Sequence, residues 1–97
     1  MGVSHADDIR YLFFSPDYLL ETPEEFAVKD FMVSSWVNFA ICGDPTPPGS
    51  TYSWTPSMQA NVFMNISGFN PQVMEFNDNL KNRMKFWLVL NYSLLLN

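Results

Sequence analysis

The chain has 97 residues, a formal net charge of -5 and only five basic side chains against ten acidic ones. That balance leaves no electrostatic footprint for nucleic acid. Hydrophobic residues make up 47%, aromatic residues 16% and charged residues 15%, well under the charged share of about 25% in soluble domains, so the apolar faces suit a piece of a larger body.

The N-terminal stretch Gly2-Val3-Ser4-His5-Ala6-Asp7-Asp8-Ile9-Arg10-Tyr11-Leu12-Phe13 holds the only histidine. Imidazole is the side chain best suited to carry a proton near neutral pH. A turn is expected through Ile9 to Phe14, with Asp7 and Asp8 either capping it or pairing with Arg10. The N-terminus shows no basic region followed by an apolar core, so no signal peptide is read here.

Thr22-Pro23-Glu24-Glu25 is a helix start: Thr22 caps, Pro23 suits the first position and Glu25 completes a capping box. The helix is predicted over residues 23–41. Phe26, Val33, Trp36 or Val37, and Ala40 recur at helical spacing, with Val28, Met32 and Phe39 widening the stripe. Cys42 follows as the only cysteine, read as a buried structural thiol. Gly43 suits a left-handed end, and Asp44-Pro45 with Pro47-Pro48-Gly49 stops the helix.

The Pro- and Ser/Thr-rich connector up to Thr55-Pro56 carries Tyr52 and Trp54, which can pin it by burying rings. Val62-Phe63-Met64-Asn65-Ile66 and Val73-Met74-Glu75-Phe76 read as short strands of a hairpin over 62–76, turning at Gly68-Phe69-Asn70-Pro71. Asn77-Asp78-Asn79 offers a cap for a second helix over 78–92, with Leu80, Met84, Trp87 and Leu88 opposite Lys81 and Lys85. The apolar run ending at Leu94-Leu95-Leu96 is interrupted by Asn91 and Ser93, too short for a membrane span. The aromatic set Trp36, Phe39, Trp54, Phe86 and Trp87 reads as scaffold.

Three blocks in order carry a family likeness: Gly2 to Phe14 around His5, the helix end Trp36-Val37-Asn38-Phe39-Ala40 with Gly43-Asp44-Pro45, and Arg83-Met84-Lys85-Phe86-Trp87 after the Trp54-led hairpin. Together they resemble the C-terminal part of type-B carboxylesterases, the cholinesterase-like α/β-hydrolases, and Ala6-Asp7-Asp8 is most similar to insect esterases. The resemblance implies an α/β fold in which residues 1–97 are the C-terminal part of a catalytic domain, with two main helices and a hairpin between them. It implies that His5 is the catalytic histidine of a Ser-Glu/Asp-His triad acting on a small carboxylic ester. The nucleophile, the acid and the glycine-rich oxyanion loop would lie upstream, in a missing N-terminal part of the domain, because no Gly-x-Ser-x-Gly occurs here.

On that reading the chain alone is inactive, and no cofactor or metal is expected. His5, Asp7 and Asp8 as a metal set lack a second histidine or a cysteine cluster, and Ser4 next to His5 lacks an oxyanion hole. Asn65-Ile66-Ser67 and Asn91-Tyr92-Ser93 are glycosylation acceptors in form, but about one such triplet arises by chance in this composition, so the compartment stays open. A non-catalytic esterase homologue serving as a binding or adhesion module, and a small interaction protein from a truncated reading frame, are the alternatives.

Overall fold

The long helix α2, Pro23–Cys42, begins as its sequence dictates. In the computed structural model, which describes residues 3–95, Thr22 Oγ1 accepts the Glu25 N–H at 3.2 Å and Glu25 Oε2 accepts the Thr22 N–H at 3.0 Å. This satisfies two amides that a helix start leaves unpaired. Gly43, at φ +75°, ends the helix by donating its N–H to Phe39 O at 2.8 Å.

A one-turn helix α1, Ile9–Leu12, packs on α2. The connector after Gly43 is pinned as expected: the Phe31 ring lies 5.3 Å from Tyr52 and 6.1 Å from Trp54, and Trp36 lies 6.3 Å from Trp54. Trp54 also donates its backbone N–H to Thr46 Oγ1 at 2.9 Å. Directly after the connector a second one-turn helix, α3, spans Ser57–Ala60, an element with no periodic signal in the sequence.

Strands β1, Val62–Asn65, and β2, Gln72–Glu75, pair antiparallel in the register Val62 with Glu75 through Asn65 with Gln72. Val62 and Met64 alternate into the interior, while Phe63 turns to the Phe76 ring at 5.6 Å. Helix α4, Asp78–Leu95, starts where Asn77 Oδ1 accepts the Leu80 N–H at 2.8 Å. The described helices and hairpin thus follow the expected order, with α4 running past residue 92. Gly2 and Leu96, the outer ends of two sequence segments, lie outside the described residues, as do Met1 and Asn97.

Burial departs from expectation in three places. On α2 the covered positions are Met32 and Ser35, while Phe26, Val33, Trp36 and Val37 are 40–51% exposed. Apolar residues fall on all sides of this helix, so no single stripe is set apart for burial, and the face met by α1 and the aromatic connector is the one covered. Phe39, Phe86 and Trp87 of the expected scaffold are about 60% exposed, since no described element lies over them. Cys42 is exposed, not buried: it sits in the last turn of α2, where Sγ bonds Asn38 O at 3.2 Å.

Among the described residues the buried hydrophobic core reduces to Met32, Val62 and Met64. The accessible surface is 8072 Å², against about 5,700 Å² for a compact monomer of this mass. A radius of gyration of 16.1 Å, against about 12.5 Å for a compact 97-residue domain, gives the same picture of uncovered apolar faces.

Candidate active-site loop

His5 stands second in a four-residue turn, Ser4 to Asp7, closed by the Asp7 N–H to Ser4 O at 3.3 Å. Ala6, third in the turn, has φ +69°, a left-handed backbone that costs an L side chain about 1–2 kcal/mol. The side chain of Asp7 reaches back over the pair: Oδ2 accepts the Ser4 N–H at 2.7 Å and Oδ1 accepts the Ser4 hydroxyl at 2.9 Å. Those two bonds, the amide first, hold the Asp7 carboxyl below its ordinary value of 3.8, with Arg10 adding a smaller favourable charge.

The imidazole of His5 is exposed and engages no hydrogen bond or ion pair among the described residues, leaving both ring nitrogens available. The Ser4 hydroxyl is committed to Asp7 and so is not aimed at the ring. Asp8 precedes α1 without a side-chain capping bond. The expected pairing of Arg10 with Asp7 or Asp8 is replaced by one with Glu25 at 2.9 Å, because α1 docks Arg10 against the start of α2. Arg10 also donates to Tyr11 Oη at 2.9 Å and lies over that ring, which together with the carboxylates raises its pKa further.

Two open grooves flank the loop's support. One, of about 640 Å³, runs between α1, the following loop and α2, and includes Arg10, Phe14, Tyr18 and Phe26. The other, of about 780 Å³, lies between α2 and the hairpin, lined by Trp36, Trp54, Met64 and Phe76, with the buried Ser35 hydroxyl unpartnered at its wall. His5 lines neither. Among the described residues no cluster of three metal-binding side chains is present, and no helix is long and apolar enough to cross a membrane.

The turn role expected of Asp7 is exercised through Ser4, a partner the sequence expectation lacks. The signal was present in the spacing Ser4-x-x-Asp7, the interval at which a short polar side chain bonds a neighbouring backbone amide.

The model of the carboxylesterase family matches residues 1–87. The chain is 48% identical over 48 residues to the juvenile hormone esterase of Tribolium castaneum, covering 47% of this chain and 8% of that protein. It is 30% identical over 95 residues to the bile salt-activated lipase of Mus musculus, covering 92% and 16%, and 29% identical over 96 residues to venom carboxylesterase-6 of Apis mellifera, covering 95% and 16%. The chain therefore spans less than a fifth of the length of these relatives. No solved structure gives a significant match. The match along residues 1–87, together with two insect esterases among these relatives, shows that the chain belongs to the carboxylesterase family and is of the type-B, insect-like kind.

Proposed function

We propose that this chain is part of a serine carboxylic ester hydrolase and carries its proton-transfer histidine, His5. The observation that carries the reading is the family match beginning ahead of His5, combined with an exposed imidazole held on a defined turn with both nitrogens available. In this reading His5 takes the proton of a serine hydroxyl as its oxygen bonds to the ester carbonyl carbon. The imidazolium then returns the proton to the departing alcohol; the same ring next deprotonates a water as its oxygen bonds to the acyl carbon, and gives that proton to the serine oxygen as the acid departs.

The serine, the acid that orients the second ring nitrogen and the oxyanion donors belong to the rest of the catalytic domain. The extent of uncovered apolar surface on α2 and α4 supports that placement, as does the small share of each relative that the chain spans. Without those groups the chain has nowhere to attach an acyl group and is inactive by itself.

The test is a pair of kinetic comparisons. In the full-length carboxylesterase that carries this segment, His5→Ala lowers kcat for a carboxylic ester by about 10³-fold or more with little change in substrate binding. The 97-residue chain alone turns over a short activated ester no faster than its own His5→Ala variant. Saturable, His5-dependent turnover by the chain alone, or undiminished kcat in the full-length variant, overturns the reading.

A further inference from the structure

We propose that Asp7 is a positioning residue for His5: by binding both the amide and the hydroxyl of Ser4, its carboxylate fixes the turn that presents the imidazole. This rests on reading His5 as the proton-transfer group. It assigns the neighbouring acid to the support of that group rather than to the reacting atoms.

The turn's own backbone holds it weakly. Its closing bond, at 3.3 Å, is beyond the usual range for an N–H to carbonyl contact, and Ala6 at φ +69° resists the geometry. Left to itself, a segment of this kind would sample other arrangements, each aiming the imidazole differently. The two bonds from Ser4 to Asp7, at 2.7 and 2.9 Å, both bridge the His5-Ala6 pair. They are shorter than the closing bond, and their acceptor is charged. They are the only side-chain hydrogen bonds tying Ser4, His5 or Ala6 among the described residues.

Both carboxylate oxygens bond Ser4, and neither bonds the ring of His5. In this arrangement Asp7 does not set the ring's tautomer. Its effect on turnover is therefore one of aim. A reacting group displaced by about 1 Å can lose about 10²-fold in rate, while substrate contacts made elsewhere stay intact.

An ionised carboxylate accepts at both oxygens, whereas a carboxamide of the same shape accepts at one and donates from the other. Asp7→Asn keeps the volume, but its Nδ2–H can donate to the Ser4 hydroxyl oxygen with the bond reversed, so it removes the charge and not a bond; Asp7→Ala removes both bonds. Ser4→Ala removes the hydroxyl bond and leaves the amide bond, and Ser4→Thr restores a hydroxyl.

The experiment is steady-state kinetics of the full-length carboxylesterase carrying this segment, with a short activated ester and a parallel thermal melt. Asp7→Ala is expected to lower kcat about tenfold with KM within about twofold. Ser4→Ala should lose about threefold and Ser4→Thr should recover it, while the double variant Ser4→Ala/Asp7→Ala should be no worse than Asp7→Ala, because both act on one clamp. If Asp7→Ala melts early, Ser4→Ala with its Ser4→Thr rescue decides the matter.

Wild-type kcat in Asp7→Ala, or in Ser4→Ala when that variant decides, overturns the proposal. So does a loss in Asp7→Ala as large as that in His5→Ala, which would put Asp7 among the reacting groups. His5→Ala is measured alongside: if it retains full turnover, the reading of His5 itself fails, whereas a collapse in His5→Ala with Asp7→Ala unaffected removes only the positioning role.

Discussion

The guanidinium of Arg10 lies 2.9 Å from Oε1 of Glu25, the same carboxylate whose Oε2 caps the start of α2. One side chain thereby joins the segment that follows His5 to the long helix behind it. Oε2 also accepts the Glu21 N–H at 2.8 Å, so Glu25 binds two backbone amides and one cation.

This arrangement predicts a pH dependence of helix stability. The Glu21 amide, then the Thr22 amide, with Arg10 contributing less, hold the Glu25 pKa below its ordinary 4.5. A carboxyl with a depressed folded-state pKa stabilises the fold above its unfolded value, and that contribution disappears as the pH falls through the lowered one. The helical circular dichroism of the chain should weaken progressively below about pH 4.5, and Glu25→Gln should flatten that dependence relative to the parent. Parallel acid titrations for the two chains would refute the assignment of the effect to Glu25.

Gly43→Ala should destabilise the chain by about 1 kcal/mol. A Cβ at this position meets nothing within 4 Å, so the cost is purely that of φ +75°. Equilibrium unfolding in denaturant measures it, and a neutral result would mean that the end of α2 readjusts without the left-handed cap.

Trp54→Ala should cost about 2 kcal/mol, toward the lower side of aromatic truncations because the ring is only half-buried. It removes the contacts with Phe31 and Trp36 that hold the connector to α2. Limited proteolysis should then move to the connector between Gly43 and Pro56; unchanged cleavage would show that the Tyr52 contact suffices.

The chain in isolation should associate. Phe86, Trp87, Leu88 and Val89 are 56–67% exposed in succession along α4, and uncovered apolar surface of this kind drives self-contact. Sedimentation velocity should show mass increasing with concentration, reversed toward monomer by Phe86→Glu with Trp87→Glu. A monodisperse monomer at all concentrations would contradict the expectation.

What the sequence made legible was local. Thr22, Pro23, Glu25 and Gly43 delimit α2 within a residue because each acts through its own backbone neighbours. The two short runs on either side of Gly68-Phe69-Asn70-Pro71 likewise marked the hairpin, and the three blocks marked the family. Which face of α2 is covered, and that Arg10 seeks Glu25 fifteen residues away rather than Asp7 or Asp8, depend on docking that no periodicity encodes. Cys42 departs from expectation for the same reason: composition favours burial of a lone thiol, but its solvent access depends on what lies over the last turn.

The capping box has a kinetic consequence. Its two reciprocal bonds span three residues and Pro23 supplies a helical φ in advance, so the costly first turn of α2 closes with almost no loop entropy to overcome. The Arg10 bridge and the hairpin pairing depend on contacts farther apart in the chain, and are slower to find. During synthesis α2 is thus the segment ready to nucleate, with the turn carrying His5 drawn onto it afterwards through Arg10.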